Sequence, residues 1–195
     1  MDNASHSSAG SEKTYYSIQT AIENKNDVEK LDLHYKGYKY FPREIFEFTN
    51  LKELILWNNE ITEIPDNIGQ LKSLEKLELS GNLLQTLPDS IGELENLHSL
   101  ILSWNKLTEL PDSIGNLKNL ERLGLNNNRL KVLPDTLCSL PNLAELNIRE
   151  NRLVELPRSF GELKSLIKFR ASGNHLSLLP ESIVKLPVLR KLEVQ

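Results

Sequence analysis

The sequence predicts an α/β fold, a solenoid in which a stack of short repeats shares one parallel sheet and carries short helical turns on the opposite side. Residues 28–188 divide into seven segments of 23 residues without insertion or deletion, and an eighth segment begins at residue 189. Apolar residues recur at the same positions of each segment. A single segment would leave these side chains in water, so its stability depends on stacking against its neighbours.

Two apolar columns, at the fourth and sixth positions, indicate the strand of each segment. The fourth-position residues are Leu31, Leu54, Leu77, Leu100, Leu123, Leu146 and Phe169. The sixth-position residues are Leu33, Leu56, Leu79, Leu102, Leu125, Ile148 and Ala171. Two apolar side chains separated by one residue point to the same face of a strand, and stacking such strands about 4.8 Å apart gives a parallel sheet.

Asparagine and proline mark the turns that follow the strand. The ninth position is asparagine in six segments, at Asn59, Asn82, Asn105, Asn128, Asn151 and Asn174. The fifteenth position is proline in all seven, at Pro42, Pro65, Pro88, Pro111, Pro134, Pro157 and Pro180. A buried amide is expected to bond backbone groups that leave the sheet and the asparagine of the next segment. Proline followed by "DSIG" or "DNIG" favours a short helical turn that closes the core.

These columns together carry a resemblance to a known family. The unit L-x-x-L-x-L-x-x-N-x-L-x-x-L-P-x-x-I-G-x-L-x-x, as in "LHSLILSWNKLTELPDSIGNLKN", resembles the 23-residue form of the leucine-rich repeat. The resemblance covers residues 28–195 and implies a curved, right-handed solenoid with the sheet on its concave face. Similar units occur in bacterial cytosolic repeat proteins and in eukaryotic repeat proteins related to Ras-pathway scaffolds. It also implies a recognition surface, without identifying the partner.

The two ends of the repeat array differ in sequence. Residues 1–10 are small and polar and are expected to form a disordered tail. Residues 11–27 are expected to form a capping helix, because Tyr15, Ile18 and Ile22 share one helical face and Ser11 is available as a cap. At the other end, "LRKLEVQ" stops inside a strand. We expect either that the chain continues past Gln195 or that another molecule, including a second copy, covers this open edge.

Composition excludes several classes of function. The net charge of -4 gives no general attraction to nucleic acid or to an anionic membrane. The single cysteine, Cys138, cannot form an internal disulfide, and the chain has neither the apolar run of a signal peptide nor a membrane span. A cytoplasmic location is therefore expected. A metal site, a cofactor and catalysis are not expected, because no two of the four histidines are spaced as ligands and no phosphate-binding loop is present.

The candidate binding residues lie at positions that the repeat leaves free, the third, fifth, seventh, eighth and tenth. In the first four repeats an apolar patch comprises Tyr35, Ile55, Trp57, Leu83, Ile101 and Trp104. In the next three an arginine patch comprises Arg122, Arg129, Arg149, Arg152 and Arg170, together with Lys168, and is interleaved with Glu145 and Glu150. Gly124 lies between the two patches and is expected to leave a gap that a partner's backbone could approach.

The two patches allow two interpretations. Tryptophan and arginine are enriched at the centres of protein interfaces, which favours a partner-binding surface. Alternatively, the tryptophans cover the sheet's own apolar edge and the arginines pair with glutamates along the strands. We predict a non-enzymatic module that binds a protein or peptide on the concave face. The alternative is the recognition segment of a larger signalling enzyme, such as a GTPase, a kinase or a ubiquitin ligase.

Overall fold

Within residues 13–194, nine short strands form one parallel sheet in which each strand pairs with the next strand along the chain. The computed structural model describes residues 13–194. The strands are β1 (Thr14–Tyr15), β2 (Lys30–Asp32), β3 (Glu53–Ile55), β4 (Lys76–Glu78), β5 (Ser99–Ile101), β6 (Arg122–Gly124), β7 (Glu145–Asn147), β8 (Lys168–Arg170) and β9 (Lys191–Glu193). The predicted solenoid with one strand per repeat is therefore confirmed.

The register of the sheet places equivalent residues of successive repeats side by side. Leu77 of β4, for example, pairs with Leu54 of β3 on one side and with Leu100 of β5 on the other. All three of these leucines are fully buried. A column of the sequence therefore becomes a row of side chains across the sheet, and the buried rows form one continuous core.

Short 3-10 helices lie on the side of the solenoid opposite the sheet. Those of the repeats are Arg43–Glu47, Asp66–Gln70, Asp89–Glu93, Asp112–Asn116, Asp135–Ser139, Arg158–Glu162 and Glu181–Lys185. Each begins directly after the fifteenth-position proline of its repeat, where the fixed φ of proline suits a helix start. The predicted helical turns are thus present and contribute apolar residues such as Ile114 to the core.

The asparagine column bonds backbone groups that the sheet leaves unpaired. In Asn105, Nδ2 donates to the carbonyl oxygens of Leu79 and Leu102 at 3.0 and 3.1 Å, and Oδ1 accepts from the backbone N–H of Leu84 at 3.0 Å. The same pattern joins Asn128 to the preceding repeat. The prediction of bonds to backbone is confirmed. The predicted bond to the next asparagine of the column is wrong, because among the described residues both ends of each amide are taken by backbone groups.

The predicted capping helix over residues 11–27 is wrong in its extent. Within the described part of this segment, Thr14 and Tyr15 form β1, which pairs with β2 and extends the sheet by one strand. The α-helix α1 spans only Ile18–Ile22, with Ser17 as its N-cap, and a 3-10 helix follows at Lys25–Asp27. Ile22 is exposed, whereas Tyr15 is buried as a strand residue. The predicted tail, residues 1–10, and the predicted cap Ser11 lie outside the described residues.

The last two segments present apolar side chains to solvent. Leu178 and Val184 are 80 % and 85 % exposed, and Leu192 of β9 is 43 % exposed. Among residues 13–194, β9 pairs with β8 alone. The last two segments therefore expose apolar side chains, of which Leu192 lies on the edge strand, whereas Leu189 and Val194 beside it are partly buried.

Candidate interaction surface

The free positions of the repeat lie on the solvent-facing side of the sheet, opposite the core. In β3, Leu54 and the following Leu56 are fully buried, whereas Ile55 and Trp57 are only half-buried. This alternation follows from the period of two in an extended chain. Ile101 of β5 is placed in the same way as Ile55, between two fully buried leucines. The apolar residues at the fifth and seventh positions therefore belong to the surface and not to the core.

The eighth position of every repeat turns in the left-handed backbone region. Its φ values are 52° at Tyr35, 51° at Asn58, 67° at Gly81, 58° at Trp104, 57° at Asn127, 53° at Glu150 and 72° at Gly173. Glycine and asparagine adopt this region readily, and a left-handed conformation costs most other residues about 1–2 kcal/mol. The backbone therefore disfavours an aromatic residue at this position.

Two aromatic residues nevertheless occupy this position, and both face solvent. Tyr35 is 66 % exposed and Trp104 is 64 % exposed. Neither side chain is needed to fill the core, and each stands where the backbone would prefer glycine or asparagine. Packing of the core thus does not explain their presence.

Part of the apolar patch forms an aromatic cluster that includes an unpredicted residue. The ring of His34 stacks on Trp57 with centroids 4.8 Å apart and 7° between the planes. Tyr35 contacts the same indole edge-on, with centroids 4.7 Å apart. The Nδ1 atom of His34 lies 2.5 Å from Oδ1 of Asp32, so the imidazole is held in place. His34 is not among the candidate binding residues that the sequence indicates.

The remaining members of the apolar patch lie apart from this cluster. Among the described residues, Trp104 makes no ring contact with another aromatic residue. Leu83 is half-buried. Trp57 stands at the seventh position and Trp104 at the eighth, where the chain turns left-handed, so they do not form one aromatic group. The apolar patch therefore has two centres.

Gly124 forms the floor of a shallow depression between the patches. The depression is lined by Ile101, Arg122, Asn126, Asn147, Arg170 and neighbouring residues. The expected gap is partly filled, because Ile101 Cδ1 lies 3.1 Å from the point that a Cβ on residue 124 would occupy. On the floor, Asn126 Oδ1 accepts hydrogen bonds from Ser103 Oγ at 2.7 Å and from Asn147 Nδ2 at 3.0 Å.

The arginine patch divides into paired and unpaired members. Arg149 and Arg170 lie 3.3 and 3.5 Å from the same Glu193 oxygen, Oε2. The hydrogen bond from Lys191 to Glu193 and the charges of Lys191 and both arginines hold the pKa of Glu193 below its usual range. These two arginines thus fit the pairing interpretation.

The other three arginines of the patch are available to a partner. Arg122, Arg129 and Arg152 are exposed, and no carboxylate within the described residues lies within ion-pair distance of them. Lys168, which also belongs to the patch, pairs with Glu145 at 2.6 Å. The free positive charge therefore lies at the third and tenth positions of the central repeats.

Residues 13–194 show neither a grouped set of metal ligands nor an activated cysteine. In that part of the chain, no three histidine, cysteine or acidic side chains are grouped so as to hold a metal ion. Burial raises the pKa of the Cys138 thiol, and nearby Asp135 and Glu162 raise it further, which opposes formation of a thiolate nucleophile. No described helix is long and apolar enough to cross a membrane.

The comparisons with known proteins agree with this architecture. A family model described as a leucine-rich repeat region matches residues 28–127, and a second leucine-rich repeat model matches residues 118–176. A comparison with curated proteins gives no match. Among solved structures, a leucine-rich repeat protein of Leptospira interrogans is 32 % identical with a TM-score of 0.68, and the match covers 93 % of this chain and 58 % of that chain.

Two plant receptors are also similar to this chain. The leucine-rich repeat ectodomain of the Arabidopsis thaliana membrane receptor kinase GASSHO1/SCHENGEN3, in complex with Casparian strip integrity factor 2, is 29 % identical with a TM-score of 0.66. That match covers 93 % of this chain and 25 % of the receptor chain. The plant peptide hormone receptor RGFR1, in complex with RGF2, is 29 % identical with a TM-score of 0.60, and the match covers 85 % and 30 % of the two chains.

The matched family models span most of the repeats, and the structural similarity to the bacterial protein extends across nearly the whole chain. The 23-residue columns, the parallel sheet and the asparagine row are the physical basis of that match. This protein belongs to the leucine-rich repeat family.

Proposed function

We propose that this protein is a non-enzymatic interaction module that binds a protein or peptide on the concave face of its sheet. The observation that carries the proposal is the exposure of Tyr35 and Trp104 at left-handed positions, where the backbone disfavours them. Large aromatic side chains that the scaffold does not need are the residue types that most often anchor a partner. The six residues of the apolar patch and the five arginines of the arginine patch remain the proposed site.

The proposed partner combines apolar and acidic groups. The aromatic side chains of repeats one to four offer apolar area that a partner can bury. Further along the sheet, the unpaired Arg122, Arg129 and Arg152 can donate charge-assisted hydrogen bonds to acidic groups. The plant receptor structures contain bound factors, which supports a protein or peptide ligand for this chain as well. Nucleic acid is not proposed, since Glu145, Glu150 and Glu193 interrupt the positive charge. The proposed place of action is the cytoplasm.

The first prediction concerns both tryptophans. Replacing Trp57 and Trp104 by alanine together should weaken partner binding by at least roughly 30-fold, because a single interface hot spot is worth about 2 kcal/mol or more. The measurement is affinity capture with the wild type, mass spectrometric identification of the partner, and titration of that partner with both proteins. A matched control replaces Val132 and Val154, which are also apolar and are each 53 % exposed, by alanine. Equal affinity of a folded double tryptophan variant would refute the proposal.

A second prediction separates binding from stability at Trp104. The change Trp104→Asn should raise the free energy of unfolding by about 1 kcal/mol, because asparagine accepts the left-handed backbone more readily than tryptophan. Asn58 and Asn127 already occupy the equivalent position. The same change should weaken binding of the captured partner. Urea unfolding and titration test both effects, and lower stability of the variant would contradict the strain argument.

A second candidate function is the recognition segment of a larger signalling enzyme. One similar structure, the ectodomain of a receptor kinase, favours this function. The match covers only 25 % of that receptor chain. Reading the gene beyond the codon for Gln195 distinguishes a downstream catalytic domain from a stop. Self-association is a further hypothesis, supported by the exposed Leu178, Val184 and Leu192 of the last two segments. Sedimentation at several protein concentrations distinguishes a monomer from an associating chain.

A further inference from the structure

The indole of Trp57 has one covered face and one open face. His34 of the preceding repeat stacks in parallel on the covered face, with 4.8 Å between the ring centroids. Because the register places equivalent positions side by side, the opposite face is directed toward the following repeat. The equivalent position there is Ser80, whose side chain is much smaller than an aromatic ring. The stack of rings therefore ends at Trp57 and leaves space above Ser80.

This space forms a slot on the solvent-facing side of the sheet. It is lined by Ile55, Trp57, Lys76, Glu78 and Ser80. Ile55 and Glu78 are paired neighbours in β3 and β4, so an apolar side chain and a carboxylate lie side by side at the base of the slot. An indole face thus stands beside a carboxylate in one open depression.

The carboxylate of Glu78 is available for a bound cation. One of its oxygens, Oε1, accepts a hydrogen bond from the backbone N–H of Ser80 at 3.0 Å. Across residues 13–194 the structure gives Glu78 no ion pair. The cation that also lines the slot, Lys76, lies 3.9 Å from Glu53, its paired neighbour in β3. The slot therefore has a negative charge that the chain itself does not neutralise by contact.

We propose that this slot accepts an arginine side chain presented by the bound protein or peptide. A guanidinium group is planar and cationic, so it can stack on the open face of Trp57 while its N–H groups donate to Glu78. A lysine ammonium could pair with the carboxylate, but it lacks the flat surface and the fork of donors. An apolar side chain would cover the indole and leave the carboxylate without a partner. This inference rests on the proposed function and gives the chemistry of one contact.

The test uses a small probe and nuclear magnetic resonance of the ¹⁵N-labelled full chain. The probe is acetyl-Gly-Arg-Gly-amide, compared with matched peptides that carry lysine or citrulline in place of arginine. We expect saturable shifts of the Trp57 indole N–H and the Ser80 amide with the arginine peptide at low salt. The indole N–H of Trp104, which lies in a different repeat, serves as the internal reference and should stay in place. The citrulline peptide, which is flat but uncharged, should bind roughly tenfold more weakly, as expected for loss of a charge-assisted hydrogen bond.

Two substitutions complete the test. Glu78→Gln should weaken arginine binding by roughly tenfold, since glutamine keeps the size of the side chain and loses its charge. Glu109→Gln changes an exposed glutamate outside the slot and should leave binding unchanged. If the Trp57 signals do not shift, or if Glu78→Gln and the wild type bind the arginine peptide with equal affinity, the proposal that the slot accepts arginine is refuted. If the double tryptophan variant still loses its captured partner in that case, the proposed function stands and only the arginine contact is refuted.

Discussion

Replacing Asn105 by alanine is expected to lower the free energy of unfolding by about 3 kcal/mol or more. Its buried amide bonds two carbonyl oxygens, of Leu79 and Leu102, and one backbone N–H, of Leu84. Each of these backbone groups would remain buried without a partner, at a cost of about 1–3 kcal/mol for each group. An alanine methyl group replaces none of the three hydrogen bonds.

Urea unfolding of the wild type and the Asn105→Ala variant measures this loss. Asn119→Ala is the matched control, because Asn119 is exposed and makes one side-chain hydrogen bond, to the carbonyl of Glu95 at 2.9 Å. Its loss should cost about 1 kcal/mol or less. Amide hydrogen exchange adds a local readout, since protection of Leu84 should fall in the Asn105 variant. Equal destabilisation by the two changes would refute the special role of the asparagine row.

The repeat array could be predicted from sequence because every column has one physical cause. A buried strand residue such as Leu100 must be apolar, and a turn amide such as Asn105 must both donate and accept. Repetition in seven segments tests each assignment several times. The segment before the first repeat has no such repetition. There the spacing of Tyr15, Ile18 and Ile22 suggested a helix, but the open backbone edge of β2 binds Thr14 and Tyr15 as a strand.

The composition of the candidate site was predictable in part. Trp57 and Trp104 were identified because the repeat does not require them. Their separation could not be predicted from spacing alone. The seventh and eighth positions are adjacent, but the seventh faces outward from the strand and the eighth lies in a left-handed turn. A signal for that turn exists in the sequence, because glycine and asparagine recur at the eighth position, as Gly81 and Asn127. The stacking of His34 on Trp57 depends on the exact strand register and side-chain rotamers, which the repeat pattern does not specify.

Replacing Gly92 by alanine is expected to lower the free energy of unfolding by about 1–3 kcal/mol, the usual cost of excess volume in a packed region. Gly92 is buried in its 3-10 helix and does not have a left-handed φ. A Cβ at this position would overlap the carbonyl oxygen of Ser113 and lie 2.8 Å from its Cβ. Since the nearest atom belongs to the backbone, the helical turns of two neighbouring repeats would have to separate.

The chain itself indicates how a larger residue is accommodated at the equivalent position. Three repeats have Phe46, Cys138 or Val184 there, and the residue that ends the 3-10 helix has ψ of 76° after Phe46 and of 105° at Leu140 and Leu186. Leu140 and Leu186 each precede a proline, which favours an extended backbone at those two residues. After Gly92 the corresponding residue, Leu94, has ψ of 67°. The turn after Phe46 is close to the turn after Gly92, and the following proline accounts for the other two turns. We therefore expect Gly92→Ala to keep its turn and to lose the close contact with the next repeat.

Thermal and urea unfolding test this expectation against Asn116→Ala, a change at the exposed end of the neighbouring 3-10 helix. Asn116 is exposed, so its replacement should change stability by less than about 0.5 kcal/mol. A Gly92 variant as stable as the Asn116 variant would show that the turns separate at no cost. The larger loss that we expect would establish that the glycine column determines how closely successive repeats stack, and thus the spacing at which the side chains of the strand face are presented.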